Sequence, residues 1–210
     1  MNIKGFGDPK VLRRFVILLG VATFVMFTFW AVFRNYLDAP PGDFEVRQGD
    51  ILLGDGKYGK ALERFNAALG ESPDHRGALM GRALVFLQTE RDVEARAEFT
   101  YLIDYLRKSL APDDSTGAAT LAAAYANRGI LHDRLGRYEN ALADYIEAMK
   151  VDEGAVDGPS LIDKVIYGTP RPATIRQRAI YLSQQLALPA HKRLLRIPEK
   201  DAEQRMYKPF

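Results

Sequence analysis

Tyr125 to Ala148 reads YANRGILHDRLGRYENALADYIEA. Gly129 and Ala141 are small residues twelve positions apart, placed where two successive helices would cross closely. Tyr145 and Ala148 follow Ala141 at helical spacing, so they share its face and fill the space behind it. The same marks recur upstream. Gly49, Ala61 and Phe65 precede Ala83, Ala95 and Phe99 by 34 residues, and those precede Gly129, Ala141 and Tyr145 by 46. One insertion of 12 residues explains all three shifts together. The chain is therefore a repeat protein.

The pattern resembles the tetratricopeptide repeat, a 34-residue helix–turn–helix unit, over about residues 42–155. The third copy is closest, and the first matches well from Gly49 to Pro73. The second has Glu90 where Gly56 and Gly136 fill the turn in the others. The usual Trp is replaced by Glu45, Leu79 and Tyr125; Glu45 implies a first helix exposed at the end of the stack. The resemblance also implies a concave groove lined by the first helix of each unit. By position its residues would be Arg47, Asp50 and Leu53, then Met80, Leu84, Leu87 and Gln88, then Asn127, Ile130 and Arg134. Asn127 falls where the family often bonds ligand backbone. The basic clamp some members use for an acidic C-terminus is not matched. The middle of the groove is apolar, which suits a hydrophobic segment; the chain's own C-terminal helix is the competing occupant.

The insertion, about 110–121, follows the second repeat. Leu102, Leu106 and Leu110 continue the apolar spacing, so two extra turns of helix are expected before a break at Pro112–Gly117. Ala118–Ala126 extends the next helix backwards, and the pair should protrude as a hairpin. Three repeats leave an apolar end that a closing helix must cover. Thr174–Leu188 supplies it, with Ile175, Ala179, Leu182 and Leu186 on one stripe. A short helix over Ser160–Tyr167 and an extended Thr169–Pro172 should precede it. After Pro189 the chain is basic, reading as a docked arm or a mobile one.

Phe15 to Phe33 reads FVILLGVATFVMFTFWAVF, nineteen residues without charge. As a helix it spans roughly 28 Å, the hydrocarbon thickness of a bilayer. Trp30 and Tyr36 sit near its C-terminal end, where amphipathic rings favour the interface. A cleaved signal peptide is the competing reading, but the stretch is longer than a usual h-region and no A-x-A-like site follows. A buried soluble helix fits worse, since bulky apolar residues cover every face. Lys4, Lys10, Arg13 and Arg14 precede the span, and only Arg34 and Arg47 lie close behind it. The positive-inside rule puts the N-terminus in the cytoplasm and the repeats on the exoplasmic side, periplasmic in a bacterium with the span in its inner membrane.

The expected architecture is all-α: a single N-terminal transmembrane helix, then a three-repeat α-solenoid with a C-terminal capping helix and tail. Its segments are 1–14 (cytoplasmic), 15–34 (span), 35–43 (linker), 44–155 (solenoid, with repeats at about 42–75, 76–109 and 122–155) and 156–210 (cap and tail). Charge follows the same divisions: five Lys/Arg against two acids in 1–41, fourteen against twenty in 42–155, ten against four in 160–210. The basic tail would bind acidic protein or lipid, or dock on the chain's own acidic middle. The net charge of +2 gives no reason to expect nucleic acid.

The absence of cysteine excludes disulfides, thiolate metal sites and cysteine nucleophiles. His75, His132 and His191 have no ligand spacing; His132 stands at a packing position and reads as structural. Asp113-Asp114 falls in a turn, and Arg128 reads as half of an ion pair. No phosphate loop or nucleophile motif is present, so no catalytic residue, metal, cofactor or small-molecule substrate is expected. The expected function is a membrane-anchored interaction scaffold or accessory subunit of a membrane protein complex. The alternative is a transient assembly factor or chaperone for exported or membrane proteins.

Overall fold

The computed structural model describes residues 9–37, 40–152 and 175–197. The chain divides into two units after Pro40. The described part of the first is one helix, α1 (Pro9–Leu37), of 29 residues. Pro9 opens it, in the first turn, where a backbone N–H would have no intrahelical acceptor. Pro9–Ala31 is long and apolar enough to cross a membrane, and none of it is buried. Its two threonine hydroxyls are internally satisfied: Thr23 Oγ1 donates to the Leu19 carbonyl at 2.8 Å, and Thr28 Oγ1 to that of Val25 at 2.9 Å. A polar group so bonded costs far less in an apolar medium.

Every regular element among the described residues of the second unit is a helix. Three hairpins follow one another: α2 (Asp43–Gly54) with α3 (Tyr58–Glu71), α4 (Arg76–Gln88) with α5 (Asp92–Ser109), and α6 (Ser115–Arg134) with α7 (Tyr138–Val151). Then comes α8 (Ile175–Leu186) and a short 3-10 turn at Ala190–Lys192. Each hairpin packs on the next: α3 against α4, α5 against α6, and α7 against α8.

The close crossings lie where the small residues stand. A Cβ on Gly49 would come within 2.6 Å of the Phe65 ring, and one on Gly129 within 2.6 Å of the Tyr145 ring. Phe65, Phe99 and Tyr145 are wholly buried, as are Ala61, Ala95 and Ala141. The turns have one conformation: Gly56 and Gly136 both have φ 71°, and Glu90 is held at φ 57°. A side chain in that region costs roughly 1–2 kcal/mol, so the second repeat carries local strain its neighbours avoid.

The insertion is built differently from the expected protruding hairpin. α5 has 18 residues against 14 in α3 and α7, one extra turn rather than two, and it stops at Ser109. α6 begins at Ser115, inside the expected break, and runs for 20 residues. Asp114 caps it, accepting from the Gly117 N–H at 2.8 Å, and also pairs with Arg76 at the start of α4. Ile103, Leu106, Leu121 and Ala122 are buried in the main core. Apolar contact with the stack outweighs extension into water, so the insertion thickens the solenoid.

α8 covers the C-terminal end with Ile175, Ala179 and Leu182 buried and Leu186 half-buried. Glu45 is half-buried; its neighbour Phe44 is the exposed residue there. The expected short helix at 160–167 and the extended 169–172 lie outside the described residues.

Candidate partner-binding surface

The expected groove residues separate into two groups. Met80, Leu84, Leu87, Asn127 and Ile130 each expose 1% or less. Asn127 Nδ2 donates to the Ala123 carbonyl one turn back, at 2.9 Å. Arg47 and Arg134 are exposed, and Asp50, Leu53 and Gln88 are half-buried. Met80, Leu84, Leu87 and Ile130 belong to the core that also contains Ile175, Ala179 and Leu182. Of the ten positions, five therefore present surface and five are interior.

Two recurring polar devices tie the stack together. Arg82 bonds Glu98 of its own hairpin, Nε to Oε1 at 2.9 Å, and Asn66 of the preceding α3 at 3.1 Å. Arg128, 46 residues later, bonds Asp144 bidentately at 2.8 and 2.7 Å, and Thr100 of the preceding α5 at 3.1 Å. Each guanidinium thus joins the second helix of its own repeat to that of the repeat before. The bidentate pair fixes geometry as well as charge. In the first repeat the corresponding residues are Gln48 and Arg64, and they form no such latch among the described residues.

The sealed end carries a buried ionic node. Asp133 accepts from Arg178 of α8 twice, at 2.6 and 2.7 Å, and from the Tyr145 hydroxyl at 3.2 Å. Arg178 and Asp133 expose only 6% and 3%. Arg178 also donates to the Leu195 carbonyl at 3.1 Å, and Arg196 donates to the carbonyl of Arg134, the last residue of α6, at 2.6 Å. The first part of the basic tail is thus a docked arm, with Leu194 N–H on Gln185 at 2.8 Å. The expected pairing of basic tail with acidic middle is visible in Arg178 and Asp133; residues 198–210 lie outside the described residues.

Sequence reasoning missed this node, yet a signal was present. Asp133 stands where the other repeats have Leu53 and Leu87, and Tyr145 where they have Phe65 and Phe99. A polar residue entering two core positions of the same repeat implies a polar partner from elsewhere. Gly81 was missed as well: a Cβ there would come within 2.3 Å of Phe65, so it admits the preceding repeat's ring.

Beside Asp144 lies His132, its Nε2 at 3.9 Å from Oδ2, too far to bond. Its Nδ1 is buried with no hydrogen-bond partner among the described residues. Burial pushes the imidazole pKa down against the pull of Asp144, and Arg128, Arg137 and Arg96 add to the depression. It is a neutral packing group at physiological pH. His75 is structural too: its Nε2 lies 2.8 Å from Asp43, and its Nδ1 caps α4. Among the described residues no three His, Asp or Glu are gathered as a metal site.

Comparison with known proteins agrees with this geometry. Residues 46–114 match one tetratricopeptide repeat family model and residues 122–154 match another. The gap between the two matches falls within the insertion. Human tetratricopeptide repeat protein 6 is 28% identical over 104 residues, which is 50% of this chain and 18% of that protein. This chain therefore matches less than a fifth of that relative's length. The solenoid is built of tetratricopeptide repeats, a unit that generally serves protein–protein interaction and is generally non-catalytic.

Proposed function

We propose that this protein is a membrane-anchored interaction scaffold, an accessory subunit that docks its solenoid onto a membrane protein complex. α1 is the anchor, with the N-terminus cytoplasmic and the repeats on the exoplasmic side. An uninterrupted apolar helix with no buried residue supports the anchor.

The observation that carries the choice of subunit over assembly factor is the burial of Met80, Leu84, Leu87 and Ile130. A client-binding chaperone requires an open apolar groove. Here those side chains are already core, so contacts made without rearrangement fall on Arg47, Asp50, Leu53, Gln88 and Arg134 and on outer faces. A rigid stack with a latched interior suits stable docking, because little ordering entropy remains to be lost on binding.

Mild-detergent copurification of the tagged full chain from its native membranes tests this. A stoichiometric set of membrane proteins is expected. A diffuse, substoichiometric set of exported proteins would overturn the subunit reading in favour of the transient factor. A tagged chain released by carbonate wash would overturn the anchor itself.

A further inference from the structure

The face that α4 and α6 turn toward the preceding repeat is covered by a helix, α3 in one case and α5 in the other. On it lie Ala78 and Val85 in the second repeat, and Ala124 and Leu131 in the third, all 2% exposed or less. The corresponding residues of the first repeat are Phe44 and Ile51. Among the described residues of the second unit no helix precedes that repeat, and they stand 49% and 67% exposed. Phe44 is larger than Ala78 and Ala124, and Ile51 is as bulky as Leu131 and larger than Val85, where a solvated end would favour polar residues. Beside them a cavity of about 480 Å³ is lined by Gln48, Ile51, Leu52, Lys60, Glu63 and Arg64.

Charge on this face is also reversed. Arg64 occupies the place of Glu98 and Asp144, the acids that hold the latching arginines. Lys60 and Arg64 are exposed and form no ion pair among the described residues, with Glu63 the single acid between them. A helix laid here in the stacking position would meet two apolar anchors and a net positive flank.

Resting on the scaffold reading above, we propose that this end face receives an amphipathic helix of a partner protein, apolar toward Phe44 and Ile51 and acidic toward Lys60 and Arg64. Burying both apolar residues supplies the attraction, and the cations select the register. A second copy of this chain is a poor occupant. Face-to-face stacking sets Lys60 and Arg64 against themselves, and head-to-tail stacking is blocked by α8.

The test uses the full chain in its native membranes, with a photo-crosslinking residue at Phe44 or Ile51. Controls carry it at Val93, 70% exposed on α5, and at Phe24 on α1. The expected result is a protein adduct from positions 44 and 51 and none from 93. The crosslinked peptide should be an amphipathic helical segment bearing Asp or Glu. The adduct should fall at least tenfold in a Lys60→Glu/Arg64→Glu chain and return when the partner's acid is changed to Lys. Lipid adducts at 44 and 51, adducts to this chain itself, no adduct, or indifference to the charge reversal would each overturn the proposal. Lipid labelling from Phe24 reports separately on the anchor, so failure of the membrane reading is distinguishable.

Discussion

The two ends of the solenoid solve the same problem in opposite ways. At the C-terminal end, α8 lays Ile175, Ala179 and Leu182 over the third repeat, and a buried Arg178–Asp133 pair locks it in register. At the N-terminal end the described residues of the second unit include no covering helix and no latch; Phe44 and Ile51 are exposed. The difference teaches where specificity resides. Apolar burial alone would hold α8 at several registers, whereas a bidentate pair with a third donor is satisfied in only one. The sealed end is committed, and the open end is not.

The largest expected effect lies at the sealed end. Arg178→Ala leaves Asp133 buried without its counter-charge and should cost about 3–5 kcal/mol, read from urea unfolding by circular dichroism. Restoring the pattern of the other repeats, with Asp133→Leu, Tyr145→Phe and Arg178→Met together, should recover most of it. If the single change costs under about 1 kcal/mol, the node does not hold the cap. Next in size is Gly129→Ala, whose new methyl meets Tyr145 in a closed core and should cost about 1–3 kcal/mol. Gly49→Ala meets Phe65 at the same distance, but α2 is free to shift at the open end, so a smaller loss is expected. Equal losses would show both ends to be equally rigid.

Acid should distinguish the ends as well. The His132 pKa is lowered by folding, so its contribution is fully present above the unfolded value of about 6.5 and is lost as pH falls through the folded one. Stability should decline below neutrality, and His132→Gln should flatten that decline in a pH series of unfolding curves. Glu90→Gly relieves a left-handed turn residue between the ends and should raise stability by about 1 kcal/mol or less. Smallest of all, Ile51→Ser at the open end should stay within about 0.5 kcal/mol of the parent chain. A larger loss would mean that Ile51 is part of the core after all.

Repetition made much of this legible. Gly49, Ala83 and Gly129 mark the crossings because a crossing tolerates only small residues, and that demand recurs once per unit. The turn glycines and the odd Glu90 were readable for the same reason. What escaped was whatever depends on residues outside one unit's pattern. Arg178 lies 45 residues from Asp133, and no periodicity links them; only the paired departures at Asp133 and Tyr145 hinted at a partner. The packing of the insertion escaped too, because Leu106 and Leu121 read equally as a free hairpin and as core. The groove positions followed from resemblance, which conveys where a residue stands on its helix but not what lies over it.

Trp30, the chain's single tryptophan, stands on α1, while the repeats carry tyrosine and phenylalanine as their aromatic core. The two units are therefore spectroscopically distinct. Indole emission reports the surroundings of Trp30 on the apolar helix, blue-shifted in hydrocarbon and red-shifted in water. The far-ultraviolet signal, by contrast, is dominated by the repeats, which hold most of the described helical residues.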